Sequence, residues 1–415
     1  MPSIDEFLKK MPAQTQALLN AVWAQVPAED RQTLLALLKG IPGDPRSFKT
    51  LIDLSIVQFR MAFGKQTNVA IVGPANVGKS TLYNQFVRSK SDQAVVSALP
   101  GTTRVNQQGD AGLFSVIDTP GADAVGEVGE KEKSEALNAA RQADFLVIVF
   151  DTIQGIKKTE QDLFFELEQL NKPYVVVLNK ADLVKKELTN VTQQAARNLH
   201  LEPDQVIPIT AKEGKQIDQV IIAIAAADPE IVASLGSAMP HFRWQLAWRA
   251  IVSAASLSAV IALAPLPVLD FGPLIIIQSV MVLAIARIYN YRVTLERARE
   301  LVATFGLGFI GRMLFQELSK LGGLPGWFLA AVIASSTTIA MGYAASIWFE
   351  RGEKLSQDKI KQITSGLTRY LMDRVKGKKR PRNKQTLKEQ ITATLEQSPL
   401  AADPKKIESL SEVKE

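Results

Sequence analysis

The segment that most constrains the fold is residues 68–87, which read NVAIVGPANVGKSTLYNQFV. The opening run, NVAIVG, is apolar and rich in β-branched residues, which predicts a buried strand. The closing run, TLYNQFV, has the apolar spacing of a helix. Between them, GPANVGKS places Gly73, four further residues, and then Gly78, Lys79 and Ser80. A strand, a glycine-containing loop and a helix in this order form the framework of a phosphate-binding loop.

This loop assigns a distinct task to each residue type. Its glycines let backbone N–H groups wrap around phosphate oxygens, and the helix N-terminus adds partial positive charge. Lys79 is expected to reach the β- and γ-phosphates, and the hydroxyl of Ser80 to bind Mg²⁺. The predicted phosphate-binding set is Gly73, Asn76, Val77, Gly78, Lys79, Ser80 and Thr81.

Five short apolar runs alternate with helical stretches after residue 67. They read NVAIVG, LFSVIDT, DFLVIVFD, PYVVVLNK and QVIPIT. Continuous apolar strands separated by helices are typical of a mostly parallel sheet with both faces covered. The prediction is therefore an α/β domain over residues 67–230.

Three loops that follow these strands carry further candidate site residues. Asp118, in DTPG, ends a strand where a carboxylate can hold Mg²⁺ through water, and Gly121 can offer its N–H to a γ-phosphate. In NKAD, the Asp182 carboxylate can accept from both the N1–H and the exocyclic amine of guanine. Asn179 and Lys180 complete that guanine-binding motif, with the Lys180 stem covering the base. TAKEG adds Thr210, Ala211 and Lys212, with the Ala211 backbone facing the guanine carbonyl oxygen.

Together these motifs resemble the P-loop GTPases, and more closely the branch that contains Era, EngA, the tRNA-modification GTPase and the septins. The resemblance covers about residues 67 to 225. It implies GTP and GDP as ligands, Mg²⁺ as cofactor and GTP hydrolysis as the activity. The sequence departs from the branch at Pro74-Ala75, where a variable residue and then proline are usual. PGTTR, from Pro100 to Arg104, resembles the first switch, so the resemblance makes Thr103 a Mg²⁺ ligand, with the adjacent Thr102 as its rival.

A second departure concerns catalysis. Ala122 stands where the best-known GTPases carry a water-positioning glutamine. The resemblance implies that hydrolysis can instead use K⁺, held partly by Asn76, and a second G domain in a homodimer. A cation beside the β/γ-bridge stabilises charge that grows in the transition state. The expected catalytic set is Lys79, Thr103 and Asn76; the competing interpretation is that Asn76 only stabilises the loop.

The regions flanking this domain differ from it in composition. Residues 1–66 predict a helical region that forms a small bundle. Residues 241–350 are strongly apolar: Asp270 is the only charged residue between Arg249 and Arg287, and residues 324–349 form an uncharged run of 26. A span needs about 20 apolar residues. Residues 324–349 are long enough for one span, and the two apolar runs between Arg249 and Arg287 predict either a tight hairpin of short spans or a re-entrant loop. Basic residues flank this hairpin and none lies in its turn, as expected when both flanks are cytoplasmic.

This apolar region resembles a helical domain of undefined function that accompanies some Era-like GTPases and is often predicted to be membrane-associated. Residues 351–415 form a charged tail, and residues 373–384 hold seven basic residues and one acid. Such a segment suits anionic lipid headgroups or RNA phosphates. The alternative for the apolar helices is the core of a soluble domain.

The sequence therefore predicts a membrane-associated GTP-hydrolysing switch, slow without activation, with its G domain facing the cytoplasm. Membrane lipids are the expected partners, and RNA or the ribosome is less favoured. The rival functions are a ribosome- or RNA-assembly GTPase and a dynamin-like remodelling protein. The chain has no cysteine, which excludes thiolate chemistry, and its two histidines, His200 and His241, are far apart in the sequence.

Overall fold

The computed structural model of the chain describes residues 26, 57–64, 67–87, 113–119, 127–262, 272–291, 293, 298–300, 302, 326–376 and 384–410. The chain divides into two compact units. One unit is Gln66–Pro240, and the other joins Met1–Lys65 to His241–Glu415. Each unit is described separately below.

The first unit, the G unit, alternates strands and helices as its sequence predicts. After a short helix α1 at residues 57–63, which belongs to the other unit, the elements run in this order: β1 (Val69–Pro74), α2 (Lys79–Phe86), β2 (Phe114–Thr119), α3 (Glu127–Gln142), β3 (Phe145–Asp151), α4 (Lys158–Glu168), β4 (Tyr174–Asn179), α5 (Leu188–Asn198), β5 (Val206–Pro208), α6 (Ile217–Ala227) and α7 (Val232–Ala238).

The five strands form one parallel sheet in the order β2-β1-β3-β4-β5. The strands are buried because helices cover both faces; β1 and β3 have no exposed residue. Phe164, Leu146 and Ile148 are among the side chains of the main apolar cluster. The strand order reverses direction between β1 and β3, and in open parallel sheets ligands bind outside the carboxyl ends of the strands at such a point. The fold is that of a P-loop GTPase domain.

The second unit, the helical unit, contains the long apolar helices. Its described elements after the G unit are α8 (Arg243–Ala262), α9 (Gly272–Ile288), α10 (Gly326–Arg351), α11 (Gln357–Lys376), α12 (Lys384–Glu396) and α13 (Lys405–Ser409). The apolar side chains of α8 and α10 face protein on most sides, since most residues of both helices are buried.

Small residues and satisfied hydroxyls hold α8 against α10. A Cβ on Gly342 would collide with the side chain of Ile251, so the two helices approach closely only because residue 342 is glycine. The Ser335 hydroxyl donates to the Ala255 carbonyl oxygen (3.0 Å), and the Thr338 hydroxyl donates to Ser258 Oγ (2.9 Å). Gln278, on α9, donates to Thr338 Oγ1 (3.2 Å). Each of these buried hydroxyls therefore has a partner, as burial of a polar group requires.

The C-terminal helices fold back onto the apolar helices. The indole N–H of Trp248 donates to the Leu395 carbonyl oxygen (3.2 Å), and that of Trp244 donates to the Leu400 carbonyl oxygen (3.0 Å). Tyr343, on α10, donates to Glu408, on α13. Residues beyond 351, which the sequence separates from the apolar region as a charged tail, thus cover α8 and α10 where they are described.

Helix α1 packs against other helices of the same unit. Gln58, in α1, donates to the Ala250 carbonyl oxygen (2.8 Å). Arg287, at the end of α9, donates to the carbonyl oxygens of Ala62 and Gly64, and the bond to Gly64 measures 2.6 Å. Helix α1 is thereby fixed between α8 and the end of α9.

Among the residues that the structure describes, two helices are long and apolar enough to cross a membrane by length and composition. They are Pro240–Ala262, with a mean hydropathy of 1.4 in its best 18-residue window, and Gly326–Arg351, with 1.5. Protein already buries 72% of the first window and 94% of the second. Residues 263–271, which contain most of the predicted turn, and residues 377–383 of the basic segment lie outside the described residues, and Pro273 lies in the first turn of α9.

Candidate nucleotide site

The phosphate-binding loop lies between β1 and α2. The loop turns through two left-handed residues, Asn76 (φ 63°) and Gly78 (φ 94°), and α2 begins at Lys79. Asn76 is exposed at the tip of the turn. The predicted order of strand, loop and helix is confirmed, and the loop lies at the carboxyl end of β1, beside the reversal of strand order.

Two glycines are required here by close approach. A Cβ on Gly73 would collide with the Val149 carbonyl oxygen of β3, because the loop leaves β1 directly against the neighbouring strand. A Cβ on Gly78 would collide with the side-chain amide of Asn179, and its left-handed backbone disfavours other residues. The two glycines therefore let the loop pack against β3 and against the end of β4.

Lys79 is buried, with 3% of its surface exposed, yet its ammonium group is not isolated. It donates to the carbonyl oxygens of Gly73 (2.7 Å) and Pro74, so it lies within the loop. Ser80 and Thr81 are half-buried in the first turn of α2. The N–H groups of a first helical turn have no intrahelical partner, and they suit an anion.

Asp118 lies next to the loop through the strand register. β1 and β2 pair in parallel with Gly73 opposite Asp118. The carboxyl end of β2 therefore lies at the level of the first loop glycine. The hydroxyl of serine and the carboxylate of aspartate, the residue types at positions 80 and 118, are hard oxygen ligands of the kind Mg²⁺ takes beside substrate phosphates. Thr103, its rival Thr102, Gly121 and Ala122 lie outside the described residues.

Asn179 joins three parts of the site. Its Nδ2 donates to the Val77 carbonyl oxygen of the phosphate loop (2.8 Å), and its Oδ1 accepts from the Ala211 N–H (3.0 Å). Only 4% of Asn179 is exposed. The side-chain amide of Asn179 thus bonds the predicted phosphate loop, 102 residues earlier in the sequence, to the base loop at residues 210–214, 32 residues later at Ala211.

The remaining base-motif residues surround the end of β4. Lys180 has a left-handed backbone (φ 63°), and its ammonium pairs with Asp151 Oδ2 (2.8 Å). Asp182 is half-buried in the short helix Ala181–Val184. The loop at Thr210 is closed by two bonds between the backbones of Thr210 and Lys215, both 3.2 Å. These loops bring Ala211 and Asp182 to the same edge of the sheet as the phosphate loop.

An exposed ion pair lies at the end of the loop formed by residues 210–214. Lys215 Nζ lies 2.5 Å from Glu213 Oε2. Glu213 raises the pKa of Lys215 through this bond and its charge, and Asp182 adds a smaller effect in the same direction. The Lys215 ammonium in turn lowers the pKa of the Glu213 carboxyl. Lys212, in the same loop, is exposed.

Asp151 and Thr152 are site residues that the sequence analysis did not single out. Asp151 ends β3 and pairs with Lys180, and the Thr152 hydroxyl donates to the Lys180 carbonyl oxygen (2.8 Å). The signal was present in DFLVIVFD, since a carboxylate that ends a buried strand lies at the same edge as the other strand ends. Its partner could be identified only from the pairing of β3 with β4.

Two family models match separate parts of the chain. Residues 68–180 match the family described as "50S ribosome-binding GTPase", and residues 237–373 match "Domain of unknown function (DUF697)". The first match covers both the phosphate loop and the start of the base motif. The second begins just before α8 and ends within α11.

Curated relatives match over about two fifths of the chain. "GTPase Der" of Glaesserella parasuis serovar 5 (strain SH0165) is 36% identical over 163 residues, which are 38% of this chain and 31% of that protein. "GTPase Der" of Clostridium botulinum (strain Loch Maree / Type A3) is 31% identical over 171 residues, 38% of each chain. The chain spans about a third of the length of the curated relatives it matches.

Solved structures are similar over a comparable share of the chain. "Probable GTP-binding protein engB" is 24% identical with a TM-score of 0.33, covering 39% of this chain and 99% of that one. Aquifex aeolicus Era, solved as a point variant bound to GDP and AlF4⁻, is 22% identical with a TM-score of 0.34, covering 49% and 69%. From the family models and the site, residues 68–180 carry a P-loop GTPase domain, and a domain of unknown function follows at residues 237–373.

Proposed function

We propose that the chain binds GTP and hydrolyses it to GDP, acting as a molecular switch. The observation that carries the proposal is the position of Asn179, whose amide bonds both the phosphate loop at Val77 and the base loop at Ala211. A single buried residue thereby fixes the spacing between a triphosphate site and a purine site. The carboxylate of Asp182 belongs to the loop at the same edge. Its two oxygens can accept hydrogen bonds from the N1–H and the exocyclic amine of guanine.

Charge stabilisation would supply most of the catalysis. Lys79 and the loop N–H groups bind the phosphates, and Ser80, Thr103 and Asp118 would hold Mg²⁺, which neutralises charge developing on the β- and γ-phosphates. Gly121 would sense the γ-phosphate through its N–H. The proposal assigns no side chain the role of general base, in agreement with the largely electrostatic character of phosphoryl transfer.

The assignment of guanine as the bound base is tested by changing Asp182, the residue proposed to accept its hydrogen bonds. Asp182→Asn presents an amide in place of a carboxylate, so GTP affinity should fall while affinity for xanthosine triphosphate rises. Competition against a fluorescent GDP measures both constants. Asp204→Asn, an exposed residue of the same unit, is the matched control and should change neither. Binding of ATP as tight as GTP by the unmodified chain would overturn the assignment.

We also propose that K⁺, held partly by Asn76, and a homodimer through the G domain assist hydrolysis in place of glutamine at residue 122. The exposed position of Asn76 at the tip of the loop supports this, because the side chain is free to reach a cation beside the phosphates. In related sites a positive charge supplied at this point raises the rate about 10³–10⁵-fold.

The cation proposal predicts faster GTP hydrolysis in potassium than in sodium, and a specific activity that climbs with protein concentration. Asn76→Ala should abolish the difference between the two salts. Asn171→Ala is a matched control, since Asn171 is also exposed and left-handed (φ 53°) but lies away from the loop. Equal rates in both salts, unchanged in Asn76→Ala, would contradict it.

For the helical unit we propose association with a membrane, with the G unit on the cytoplasmic side. Three features support it: the length and hydropathy of Pro240–Ala262 and Gly326–Arg351, the close small-residue packing at Gly342, and the basic residues 373–384. Because protein already covers most of α10, α10 would form the interior of the bundle, whereas α8 is less completely covered. Ribosome binding and dynamin-like assembly on lipid are the rival outcomes.

A further inference from the structure

The carboxylate of Asp151 is buried and fully engaged at the carboxyl end of β3. Its side chain is 1% exposed. Oδ1 accepts from the N–H groups of Ile153 (2.9 Å) and Gln154 (2.7 Å), and Oδ2 accepts from Lys180 Nζ (2.8 Å). Burial of a charge is tolerated when it is paired and hydrogen-bonded in this way.

The loop that follows β3 also fixes the backbone of Lys180. Its carbonyl oxygen accepts from the Thr152 hydroxyl (2.8 Å) and from the Leu183 N–H (3.0 Å). The Thr152 N–H in turn donates to the Asn179 carbonyl oxygen (3.0 Å), next to the pair Asp151–Asn179 in the strand register. Lys180 is therefore held at both ends, by its left-handed backbone and by its ammonium.

We propose that Asp151 is a positioning residue for the purine base, acting through Lys180. The proposal rests on guanine-nucleotide binding, as proposed above, and adds the residue that orders one wall of the base site. Lysine has many rotamers, and ordering it costs binding free energy unless another contact has already done so. The ion pair with Asp151 fixes the four-carbon stem before the base arrives, so that the stem is ready to lie against the face of the ring.

This role differs from that of Asp182 in the property it controls. Asp182 reads the donor pattern at the edge of guanine, whereas a lysine stem contacts the face that all purines share. Losing the Asp151 contact should therefore weaken the binding of every purine nucleotide by a similar factor. The selectivity of the site among purine nucleotides should stay unchanged. Phosphate binding depends on the loop after β1 and should not respond.

The test is Asp151→Asn in the full-length chain. The asparagine Oδ1 can still accept from Ile153 and Gln154, so the turn is retained, but the charge facing Lys180 is removed. We expect GDP, GTP and inosine triphosphate each to bind about three- to tenfold more weakly, the range for ordering one long side chain. The ratio of GTP to inosine triphosphate affinity, and competition by inorganic tripolyphosphate, should stay the same.

Asp144→Asn is the matched control. Asp144 precedes the other end of the same strand, where its Oδ2 accepts from the Asn68 N–H (2.9 Å), so the change also alters a carboxylate–backbone bond. It should leave nucleotide affinity unchanged. In a Lys180→Met background, Asp151→Asn should change GTP affinity by less than about twofold, since the side chain through which it acts is gone.

Three results would overturn the positioning role: unchanged GTP affinity in Asp151→Asn, a parallel loss of tripolyphosphate binding, or an undiminished effect in the Lys180→Met background. The second would show that the residue only supports the loops. A wild-type chain that binds ATP as tightly as GTP would instead overturn the guanine assignment. An Asp151→Asn loss confined to purine nucleotides, in a chain that prefers GTP, supports both.

Discussion

At the scale of single residues, the site depends on one buried amide. The sequence assigns Asn179 to the guanine-binding motif, and its side chain makes two described hydrogen bonds within the protein, to Val77 and Ala211. The collision that a Cβ on Gly78 would have with this amide shows how closely the loop approaches it. These bonds link the loop after β1 to the loop after β5, which supports our proposal that Asn179 sets the distance between the two loops.

This role predicts the effect of Asn179→Asp. The new carboxylate can still accept from the Ala211 N–H, but it has no proton for the Val77 carbonyl oxygen and places two acceptors together. We expect the G unit to lose about 1–3 kcal/mol of stability, the cost of an unsatisfied buried group, and nucleotide affinity to fall. Thermal unfolding and GDP competition measure the two effects.

Asn198→Asp is the control for that change. Asn198 Nδ2 donates to the Ile156 carbonyl oxygen (3.0 Å), so the substitution removes a similar amide–carbonyl bond in the same unit. It should cost stability but leave nucleotide affinity intact. Equal losses of affinity in both variants would show that Asn179 has no special connection to the site.

At the scale of elements, the contact of α8 with α10 is the best-defined packing in the helical unit. Gly342→Ala adds a methyl group where Ile251 already lies, so the two helices must separate or Ile251 must leave its rotamer. We expect a loss of about 1–3 kcal/mol, as for other overpacked cores. The change should be partly reversed by Ile251→Val, which removes one methylene from the opposing side chain.

Tryptophan fluorescence during urea unfolding measures the stability lost in Gly342→Ala. All five tryptophans, Trp23, Trp244, Trp248, Trp327 and Trp348, lie in the helical unit and none in residues 66–240. Gly326→Ala is the matched control, because a Cβ at that position of the same helix meets nothing within 4 Å. If Gly342→Ala unfolds at the same urea concentration as wild type, the packing at Ile251 is looser than described.

At the scale of the whole molecule, the full-length chain and the isolated G unit should be found in different cell fractions. We expect the full-length chain in the membrane fraction of cells, because two of its described helices have the length and hydropathy of spans. A chain of residues 66–240 should be soluble and still bind nucleotide. Release of the full chain by high salt would indicate surface attachment through basic residues, whereas a need for detergent would indicate embedding.

Recovery of the full-length chain wholly in the soluble fraction, without detergent, would contradict membrane association. The apolar helices would then be the core of a soluble bundle, covered by α11, α12 and α13. Co-sedimentation of the full-length chain with ribosomes, and not with vesicles, would favour the rival function of a ribosome- or RNA-assembly GTPase. The G-unit chain serves as the control for both, since it lacks the helices on which either outcome would depend.

The sequence alone determined the α/β fold of the G unit and the position of its phosphate loop. Buried parallel strands read as continuous apolar runs, and a loop that wraps phosphate needs glycines and Lys79 at fixed spacing, so both signals are local. Asp118 was placed by the same logic, because its strand had to end at the edge where β1 ends. The apolar helices, too, were evident from residues 250–286, where Asp270 is the only charged residue, and from the uncharged run at residues 324–349.

Only the tertiary structure decided which distant groups meet. The bonds of Asn179 to Val77 and of Lys180 to Asp151 depend on strand order and register, which no local pattern encodes. The helices after residue 351 look like a solvated tail because their charges dominate the composition. Their buried faces, with Leu395 and Leu400 against Trp248 and Trp244, pair with α8 across about 150 residues. Long-range packing of this kind depends on shape and satisfied hydrogen bonds, so it becomes visible only when the chain is folded.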